Sequence, residues 1–131
     1  MISTKGRYGL RVMLDLAQHE GEGNIPLKDI AERQEISKKY LEIIVRDLVK
    51  GDLLHGVSGK GGGYSLVRRP DEYSVGEIIE LMEGSLSPVA CLLDDAIPCS
   101  RADECNTLPI WKEFNDVVHD FLYEKKLSDL L

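Results

Sequence analysis

The sequence predicts a mainly α-helical fold with one small β-hairpin, an α+β arrangement, and three observations indicate it. Apolar side chains recur at spacings of three and four residues in five segments. Two short strand-like runs flank a glycine-rich stretch between the third and fourth of these segments. The last helical segment is long and follows a stretch without periodicity. With 131 residues, the chain has room for one compact domain and one additional element.

The first three helices are predicted from their apolar spacing and their caps. Residues 5–19 form the first helix, with Ser3 and Thr4 as candidate N-caps. The second helix opens at Pro26, which suits a first-turn position, and ends at the break after residue 33. Ser37 is a good N-cap for the third helix, whose apolar residues form one buried stripe: Leu41, Ile44, Val45 and Leu48.

Two short helices separated by about three residues are typical of a helix-turn-helix, whose second helix enters the major groove of DNA. The third helix would present these polar residues outward: Lys38, Lys39, Glu42, Arg46 and Lys50. A plain helical hairpin without DNA binding explains the same spacing. The next segment of the chain favours the first interpretation.

Residues 53–58 and 64–68 form the predicted hairpin, and its tip contains Gly59, Lys60 and three further glycines. Glycines allow close backbone approach to another surface, and Lys60 adds positive charge. The tip therefore fits a wing that rests on DNA phosphates. A nucleotide-binding loop is the alternative, but here the loop joins two strands instead of leading into a helix.

Three regions are predicted along the chain. Residues 1–83 form a winged helix-turn-helix domain, which closes with a fourth helix capped by Ser74. Residues 84–106 break every periodic pattern and contain all three cysteines, and such long loops are usually functional or disordered. Residues 107–131 form a long helix and a tail.

The last helix has a wide apolar face, and a monomer of this size has little core left to cover it. The face consists of Leu108, Trp111, Phe114, Val117, Val118, Phe121 and Leu122. Pairing with the same helix of a second subunit is the economical solution, so we expect a homodimer. Packing against the first helix of the same chain is the alternative.

Charge is distributed unevenly along the chain, whose formal net charge is −7. Residues 1–69 contain 12 Lys plus Arg against nine Asp plus Glu, whereas residues 70–131 contain four against 14. A phosphate-facing surface is therefore expected in the first half only. The N-terminus lacks the apolar core of a signal peptide and no apolar run is long enough for a membrane span, so we expect a soluble cytoplasmic protein without a membrane partner.

Cys91, Cys99 and Cys105 are separated by seven and five residues. Thiolates bind iron-sulfur clusters and zinc alike, and a flexible loop would let three of them meet at one centre. The spacing is not diagnostic, and unliganded thiols are the alternative. The sequence offers neither a Cys-His pair nor a nucleotide fingerprint, so we do not expect an enzyme.

The chain resembles the iron-sulfur cluster regulator family, the IscR-like winged-helix repressors, over essentially its whole length. The resemblance is carried by residues 2–10, 27–33, 37–42 and 61–64, by the cysteine loop and by the helix containing Trp111. It implies a dimer on palindromic double-stranded promoter DNA, with the third helix in the major groove and the wing in the minor groove. The family would also place an iron-sulfur cluster on the three cysteines, more readily a 2Fe-2S than a 4Fe-4S cluster.

Carried over by position, the resemblance assigns DNA contacts to Lys39, Tyr40, Glu42 and Ile43 on the third helix, beside the outward Lys38, and to Ser58, Gly59 and Lys60 on the wing. Several members have Arg in place of Ser58 and Gln in place of Ile43. An isoleucine contacts a thymine methyl but donates no hydrogen bond to a purine. The operator is therefore expected to differ from theirs.

The cluster would also lack the family's usual fourth ligand. Several members have a histidine three residues after the third cysteine, where this chain has Leu108. The local oxygen donors are Asp103, Glu104, Asn106 and Thr107, and some relatives use a residue of the partner subunit's first helix, near the position of Tyr8. An incompletely thiolate-ligated cluster suits a sensor better than a structural element.

We therefore expect a regulator that senses iron-sulfur or redox status and controls genes for cluster assembly or for sulfur and cysteine metabolism. The alternative within the same fold is a regulator that responds to nitric oxide, thiol oxidation, zinc or a cysteine-synthesis partner protein, without a 2Fe-2S cluster. A pure protein-interaction module is a further alternative.

Overall fold

A computed structural model describes residues 1–93, 96–97 and 99–131. The helices and strands are α1 (Thr4–Gln18), α2 (Leu27–Gln34), α3 (Lys38–Lys50), β1 (Leu54–Val57), β2 (Gly63–Leu66), α4 (Val75–Glu83) and α5 (Leu108–Glu124). Four single 3₁₀ turns cover Pro70–Glu72, Ala90–Leu92, Ala102–Glu104 and Leu127–Leu130. The observed fold is the predicted helical arrangement with one antiparallel hairpin.

The caps predicted for α1, α3 and α4 are the ones observed. The side chain of Ser3 accepts a hydrogen bond from the Lys5 N–H, and that of Ser37 accepts one from the Tyr40 N–H. Ser74 and Glu77 form a reciprocal capping box at the start of α4. Pro26 differs slightly from its prediction, because it occupies the N-cap position and α2 begins at Leu27.

The turn between α2 and α3 is short because Glu35 adopts a left-handed backbone conformation, with φ of 53°. Ile36 follows it and is buried. The chain therefore changes direction at Glu35, and the buried Ile36 anchors the connection between α2 and α3 to the core.

The hairpin pairs Leu54 with Leu66 at its base and Val57 with Gly63 near its tip. A third segment supports it, because Ile25 and Tyr64 exchange two backbone hydrogen bonds of 2.9 Å. A two-stranded ribbon of four-residue strands is only marginally stable alone. The bridge to Ile25 thus attaches the hairpin to the connection between α1 and α2.

The main core lies among α1, α2, α3 and the hairpin base. Its fully buried large side chains include Met13, Ile30, Leu41, Ile44, Leu48, Tyr73, Ile78 and Leu127. All four residues of the predicted α3 stripe are buried. Burial of these apolar groups is the main force that holds the three-helix unit together.

The helix α5 packs chiefly against α4 of its own chain, and only partly against α1. Val118 is buried in a second small cluster with Val75, Ile79 and Leu86, and Leu10 of α1 lies at its edge. Beyond α5 the tail returns to the main core. The Val75 N–H donates to the Lys125 carbonyl at 2.8 Å, and Leu127 is fully buried.

Sequence analysis predicted the helices more accurately than the tail. The pairing of the tail with the start of α4, through an antiparallel bridge between Ser74 and Lys126, has no periodic signal in the sequence. In the described part of the chain, no helix is both long and apolar enough to cross a membrane.

Candidate functional site

The outer surface of α3 forms the first half of the candidate site. Because the apolar stripe of α3 faces the core, the residues between those positions turn toward solvent. Lys38, Lys39, Glu42 and Ile43 are all exposed, as sequence analysis predicted. Arg46 continues the same surface one turn further along and is exposed as well, although the resemblance did not include it among the DNA contacts.

Tyr40 is the exception among the predicted α3 contacts, because it is half-buried. Its ring meets the Tyr8 ring edge-on, with centroids 5.8 Å apart, and the Arg11 guanidinium lies 5.1 Å from the Tyr8 centroid. The side chain of Tyr40 therefore helps to fix α3 against α1, and only its outer part is available to a ligand.

Two ion pairs hold α1 against α2 and α3. The Lys5 ammonium lies 2.6 Å from the Asp47 carboxylate, and this hydrogen bond keeps the pKa of Asp47 below its ordinary value despite partial burial. The buried Asp15 accepts two hydrogen bonds from Arg33, at 2.8 and 3.0 Å, and one from Gln34. These contacts fix the orientation of the helix-turn-helix.

The hairpin supplies the second half of the site. Ser58, Gly59 and Lys60 at its tip are all exposed, in the place expected of a wing. Gly59 and Gly61 have φ values of 85° and 75°, which glycine adopts without strain. The tip thus projects from the body of the domain as a narrow loop with one cation at its end.

The wing and α3 lie side by side on one surface. A groove of about 310 Å³ separates them, and its walls include Arg46 and Val49 of α3 and Val57, Ser58 and Tyr64 of the hairpin. We call the exposed polar and cationic residues of α3 and the wing tip the cationic face: Lys38, Lys39, Arg46, Lys50, Ser58 and Lys60.

The lysines and Arg46 of the cationic face point to solvent, and the Asp47 carboxylate of the same helix is paired with Lys5 of α1. Glu42 is the exposed acidic residue of the α3 surface. Such a surface attracts polyanions, and the more acidic second half of the chain lies outside it.

The three cysteines line one cavity. Its volume is about 210 Å³, and its walls are formed by Cys91, Leu92, Cys99, Ala102, Cys105, Leu108 and Lys112. The 3₁₀ turns on either side of Cys99 present Cys91 and Cys105 to this space, and the first turn of α5 closes it. Sequence analysis predicted the meeting of the thiols, but it missed Lys112, which follows Leu108 by one helical turn.

The donor set fits a soft metal centre, since thiolates favour iron-sulfur clusters and zinc. Among the described residues, however, no group of three or more His, Cys, Asp or Glu side chains is arranged closely enough to hold a metal ion. Within the described part of the chain, the three thiols thus share a cavity without forming a complete coordination shell.

One of the four local oxygen donors touches a cysteine. The Thr107 hydroxyl lies 3.4 Å from the Cys105 sulfur, and this contact, aided by the Thr107 and Leu108 N–H groups, keeps the pKa of Cys105 below its ordinary value. Asp103, Glu104 and Asn106 are exposed and do not line the cavity. Leu108 presents an aliphatic side chain to the cavity.

Comparison with known proteins relates the whole chain to one group. A family model described as "Rrf2: Iron-dependent Transcriptional regulator" matches residues 2–131. The HTH-type transcriptional regulator IscR of Pectobacterium atrosepticum is 38% identical over 130 residues, which cover 99% of this chain and 78% of that protein. The HTH-type transcriptional regulator CymR of Bacillus subtilis is 40% identical over 129 residues, which cover 98% of this chain and 88% of that protein.

Solved structures agree with these relationships. The structure of CymR, described as the global cysteine regulator of B. subtilis, superposes with a TM-score of 0.79 and covers 99% of this chain and 95% of that one. The structure of T. potens IscR, 38% identical, gives a TM-score of 0.75 and covers 99% and 85% of the two chains. Both similarities extend over the helices, the wing and the cysteine region.

Proposed function

Because the chain belongs to the Rrf2 family of transcriptional regulators, we propose that it is a cytoplasmic, homodimeric regulator that binds bacterial promoter DNA and senses iron-sulfur or redox status through Cys91, Cys99 and Cys105. The observation that carries the sensing role is the cavity that the three thiols share. The family itself supports DNA binding and a regulatory role. Nothing in the described site indicates catalysis.

The cationic face supports binding to double-stranded DNA. In this proposal, α3 enters the major groove with Lys38, Lys39, Tyr40, Glu42 and Ile43, while the wing reaches the minor groove with Ser58, Gly59 and Lys60. Glu42 accepts a hydrogen bond from cytosine and Ile43 contacts a thymine methyl, so these two carry base preference. The lysines and Arg46 neutralise phosphates, which contributes affinity without sequence preference.

The exposed face of α5 supports the homodimer. Ile110, Val117 and Phe121 are each more than half exposed, and Trp111 and Phe114 are exposed beside them. Val118 is the buried α5 residue in the cluster with α4, and Leu122 packs at its edge. Contiguous apolar surface of this kind marks an interaction site, and a two-fold axis lets one surface cover its own copy.

The cysteine cavity supports an iron-sulfur cluster, with a 2Fe-2S cluster favoured. Cys91, Cys99 and Cys105 would hold the cluster, which would supply reversible electron-transfer chemistry that responds to oxidants and to iron supply. Lys112 would bring positive charge to the same site, and Leu108 would exclude water from it. Genes for cluster assembly or for sulfur and cysteine metabolism are the targets that such a signal would serve.

The sensing role is tested with protein purified without oxygen. We expect visible charge-transfer absorption together with bound iron and sulfide, all lost in Cys99→Ala. The matched control is Ser100→Ala, which alters the exposed neighbouring residue and should retain iron and colour. Wild-type protein that stays colourless and free of iron after reconstitution would contradict cluster binding. The proposed DNA-binding role would be unaffected.

The DNA-binding role is tested with an operator selected from a random duplex library on the immobilised protein. We expect Lys39→Ala to weaken binding of this operator and to lower the slope of log affinity against log salt by about one. Lys126→Ala, which removes an exposed cation outside the cationic face, is the control and should change neither. Equal losses in the two variants would contradict the proposed face.

The homodimer is tested by sedimentation equilibrium. We expect wild-type protein to be dimeric, and Val117→Asp to be monomeric because a buried carboxylate in the interface would be desolvated. Val67→Asp changes an apolar residue that is also about half exposed but lies outside α5, so it should remain dimeric. A dimeric Val117→Asp protein would place the interface elsewhere.

A second candidate function deserves a test because CymR, the global cysteine regulator, is as similar as IscR. In this alternative the thiols respond to oxidation, zinc, nitric oxide or a partner protein of cysteine synthesis. The lowered pKa of Cys105 favours its reactive thiolate form. Iron-free protein whose DNA affinity changes with peroxide, and whose change is abolished in Cys105→Ser, would support this alternative.

A further inference from the structure

Tyr73 is buried at the root of the wing, although it belongs to neither strand. It lies between the Pro70–Glu72 turn and the Ser74 cap of α4, and none of its surface is exposed. It belongs to neither α3 nor the wing tip, so sequence patterns give it no role in DNA binding.

The Tyr73 hydroxyl joins the two ends of the hairpin. It donates a hydrogen bond to the Leu53 carbonyl at 2.8 Å and accepts hydrogen bonds from the N–H groups of Val67, at 3.0 Å, and Arg68, at 3.2 Å. Leu53 immediately precedes β1, and Val67 immediately follows β2. One oxygen atom therefore closes the base of the wing and uses its full hydrogen-bonding capacity.

The Tyr73 ring is itself held firmly. The Arg68 guanidinium lies 4.8 Å from the ring centroid and binds Glu77 of α4 at 2.9 Å. On the backbone, the Leu127 N–H of the tail donates to the Tyr73 carbonyl at 3.0 Å. Tyr73 is thus fixed by α4 on one side and by the segment after α5 on the other.

The wing needs such a support because its tip extends away from the base of the hairpin. The tip residue Lys60 lies beyond the ends of both strands, and the paired segment from Leu54 to Val57 alone spans roughly 10 Å. A small rotation at the base therefore moves the tip by a distance comparable with a hydrogen bond. Besides the base, the hairpin is attached through the Ile25–Tyr64 bridge.

We propose that Tyr73 is a positioning residue for DNA binding: its hydroxyl holds both ends of the hairpin at the angle at which Lys60 reaches the DNA backbone. The proposal rests on the wing contact of the proposed function. It predicts that the hydroxyl contributes to DNA affinity only through the wing tip.

A double-mutant cycle on the selected operator tests this prediction. Tyr73→Phe removes one oxygen atom, and we expect it to weaken DNA binding about fivefold and to lower the salt slope by close to one, as Lys60→Ala also should. In the Lys60→Ala background, the same change should have less than about a twofold effect, because no tip contact remains to be positioned. A role limited to overall stability would not produce this coupling.

Tyr123→Phe is the matched control. It also removes a phenolic hydroxyl that forms a hydrogen bond, to Glu80 at 2.6 Å, but this bond joins α5 to α4. We expect it to leave operator affinity unchanged in both backgrounds. If Tyr73→Phe is partly unfolded, all samples are measured with trimethylamine N-oxide, which favours the compact state.

Two results would overturn the proposal, and they are distinguishable. If Tyr73→Phe weakens operator binding equally in the wild-type and Lys60→Ala backgrounds, Tyr73 does not position the wing tip, although Lys60 still contacts DNA. Unchanged operator affinity in Lys60→Ala would remove the wing contact itself, and the role of Tyr73 with it.

Discussion

Glu83, at the end of α4, caps the first turn of α1 through Ser3. Its Oε1 accepts a hydrogen bond from the Ser3 N–H at 2.6 Å and one from the Gly6 N–H at 3.0 Å, and the Ser3 hydroxyl donates to the same carboxylate. A side-chain methyl group at Gly6 would overlap this oxygen. The N-terminal end of α1 is therefore satisfied by a residue 80 positions later in the chain.

Replacement of Glu83 tests this cap. Glu83→Gln keeps an acceptor but removes the negative charge beside the positive end of the helix dipole, so we expect a loss of about 1 kcal/mol in the free energy of unfolding. Urea titration measures the loss. Glu32→Gln, on the exposed surface of α2, is the control and should be neutral within about 0.5 kcal/mol. Equal stability of the two variants would show that the negative charge of Glu83 contributes nothing to the cap.

The buried Asp15 predicts a pH-dependent part of the stability. Burial raises the pKa of Asp15, but the hydrogen bonds from Arg33 and Gln34 outweigh burial and hold it below its ordinary value. A lowered carboxyl pKa stabilises the fold at any pH above the unfolded value of about 3.9, and this contribution disappears as the pH falls through the folded value. We expect Asp15→Asn to cost about 2 kcal/mol near neutral pH.

The free energies of unfolding of the wild type and Asp15→Asn, measured with urea, should therefore approach each other at acid pH. Below about pH 4 the Asp15 carboxylate of the unfolded chain takes up a proton while that of the folded protein, whose pKa is lower, stays ionised, so the stability difference should shrink. Asp71→Asn, whose carboxylate is more than half exposed, is the control and should be nearly neutral throughout. A difference that stays constant down to the lowest pH would assign the effect of Asp15 to packing alone.

The attachment of the wing to Ile25 predicts an effect of Gly63→Ala. Gly63 has a φ of 146°, and an added methyl group would overlap the Ile25 carbonyl that pairs with Tyr64. We expect the bridge to break, with a loss of about 3 kcal/mol in unfolding free energy and weaker operator binding. In the described structure, the same change at Gly59 meets no atom within 4 Å.

Gly59→Ala therefore costs only the left-handed backbone strain, about 1 kcal/mol, and serves as the control. Both variants are measured by urea unfolding, and the operator affinity of Gly63→Ala is compared with that of the wild type by fluorescence anisotropy. A Gly63→Ala protein no less stable than Gly59→Ala would contradict the close approach of the two backbones.

The position of Leu108 at the cysteine cavity predicts that a histidine there would strengthen iron binding. Leu108 lines the cavity at the position where several family members have a histidine, so Leu108→His would supply the missing fourth ligand. We expect iron to leave this variant more slowly than the wild type when a chelator is added. Ile110→His, on the opposite side of α5 and more than half exposed, is the control. Identical rates for the two histidine variants would argue against ligation from this position.

Local signals were sufficient to predict most of the winged helix. Ser3, Ser37 and Ser74 each precede a segment whose apolar residues recur at helical spacing, and each caps the helix that follows it. Capping depends on residues within one turn, so it is visible in the sequence. The wing was predictable for the same reason, since two strand-like runs around glycines define a hairpin.

Other features of the site were not predictable, because they depend on residues far apart in the chain. The family resemblance placed Tyr40 among the DNA contacts, but its contact with Tyr8 leaves it half-buried. The position of α5 on α4 depends on Val118, which is indistinguishable in the sequence from its exposed neighbour Val117. Lys112 reaches the cysteine cavity only because the loop folds back over the start of α5.

The sequence by itself determined the helices, the hairpin, the cationic first half of the chain and the presence of three thiols in one loop, because periodicity, capping and charge are properties of neighbouring residues. The tertiary structure decided which of these meet: Glu83 with Ser3, Tyr73 with both ends of the wing, and the three cysteines around one cavity. The physical reason is that burial of a shared core brings distant segments together, and a core depends on shape and volume that no local pattern contains.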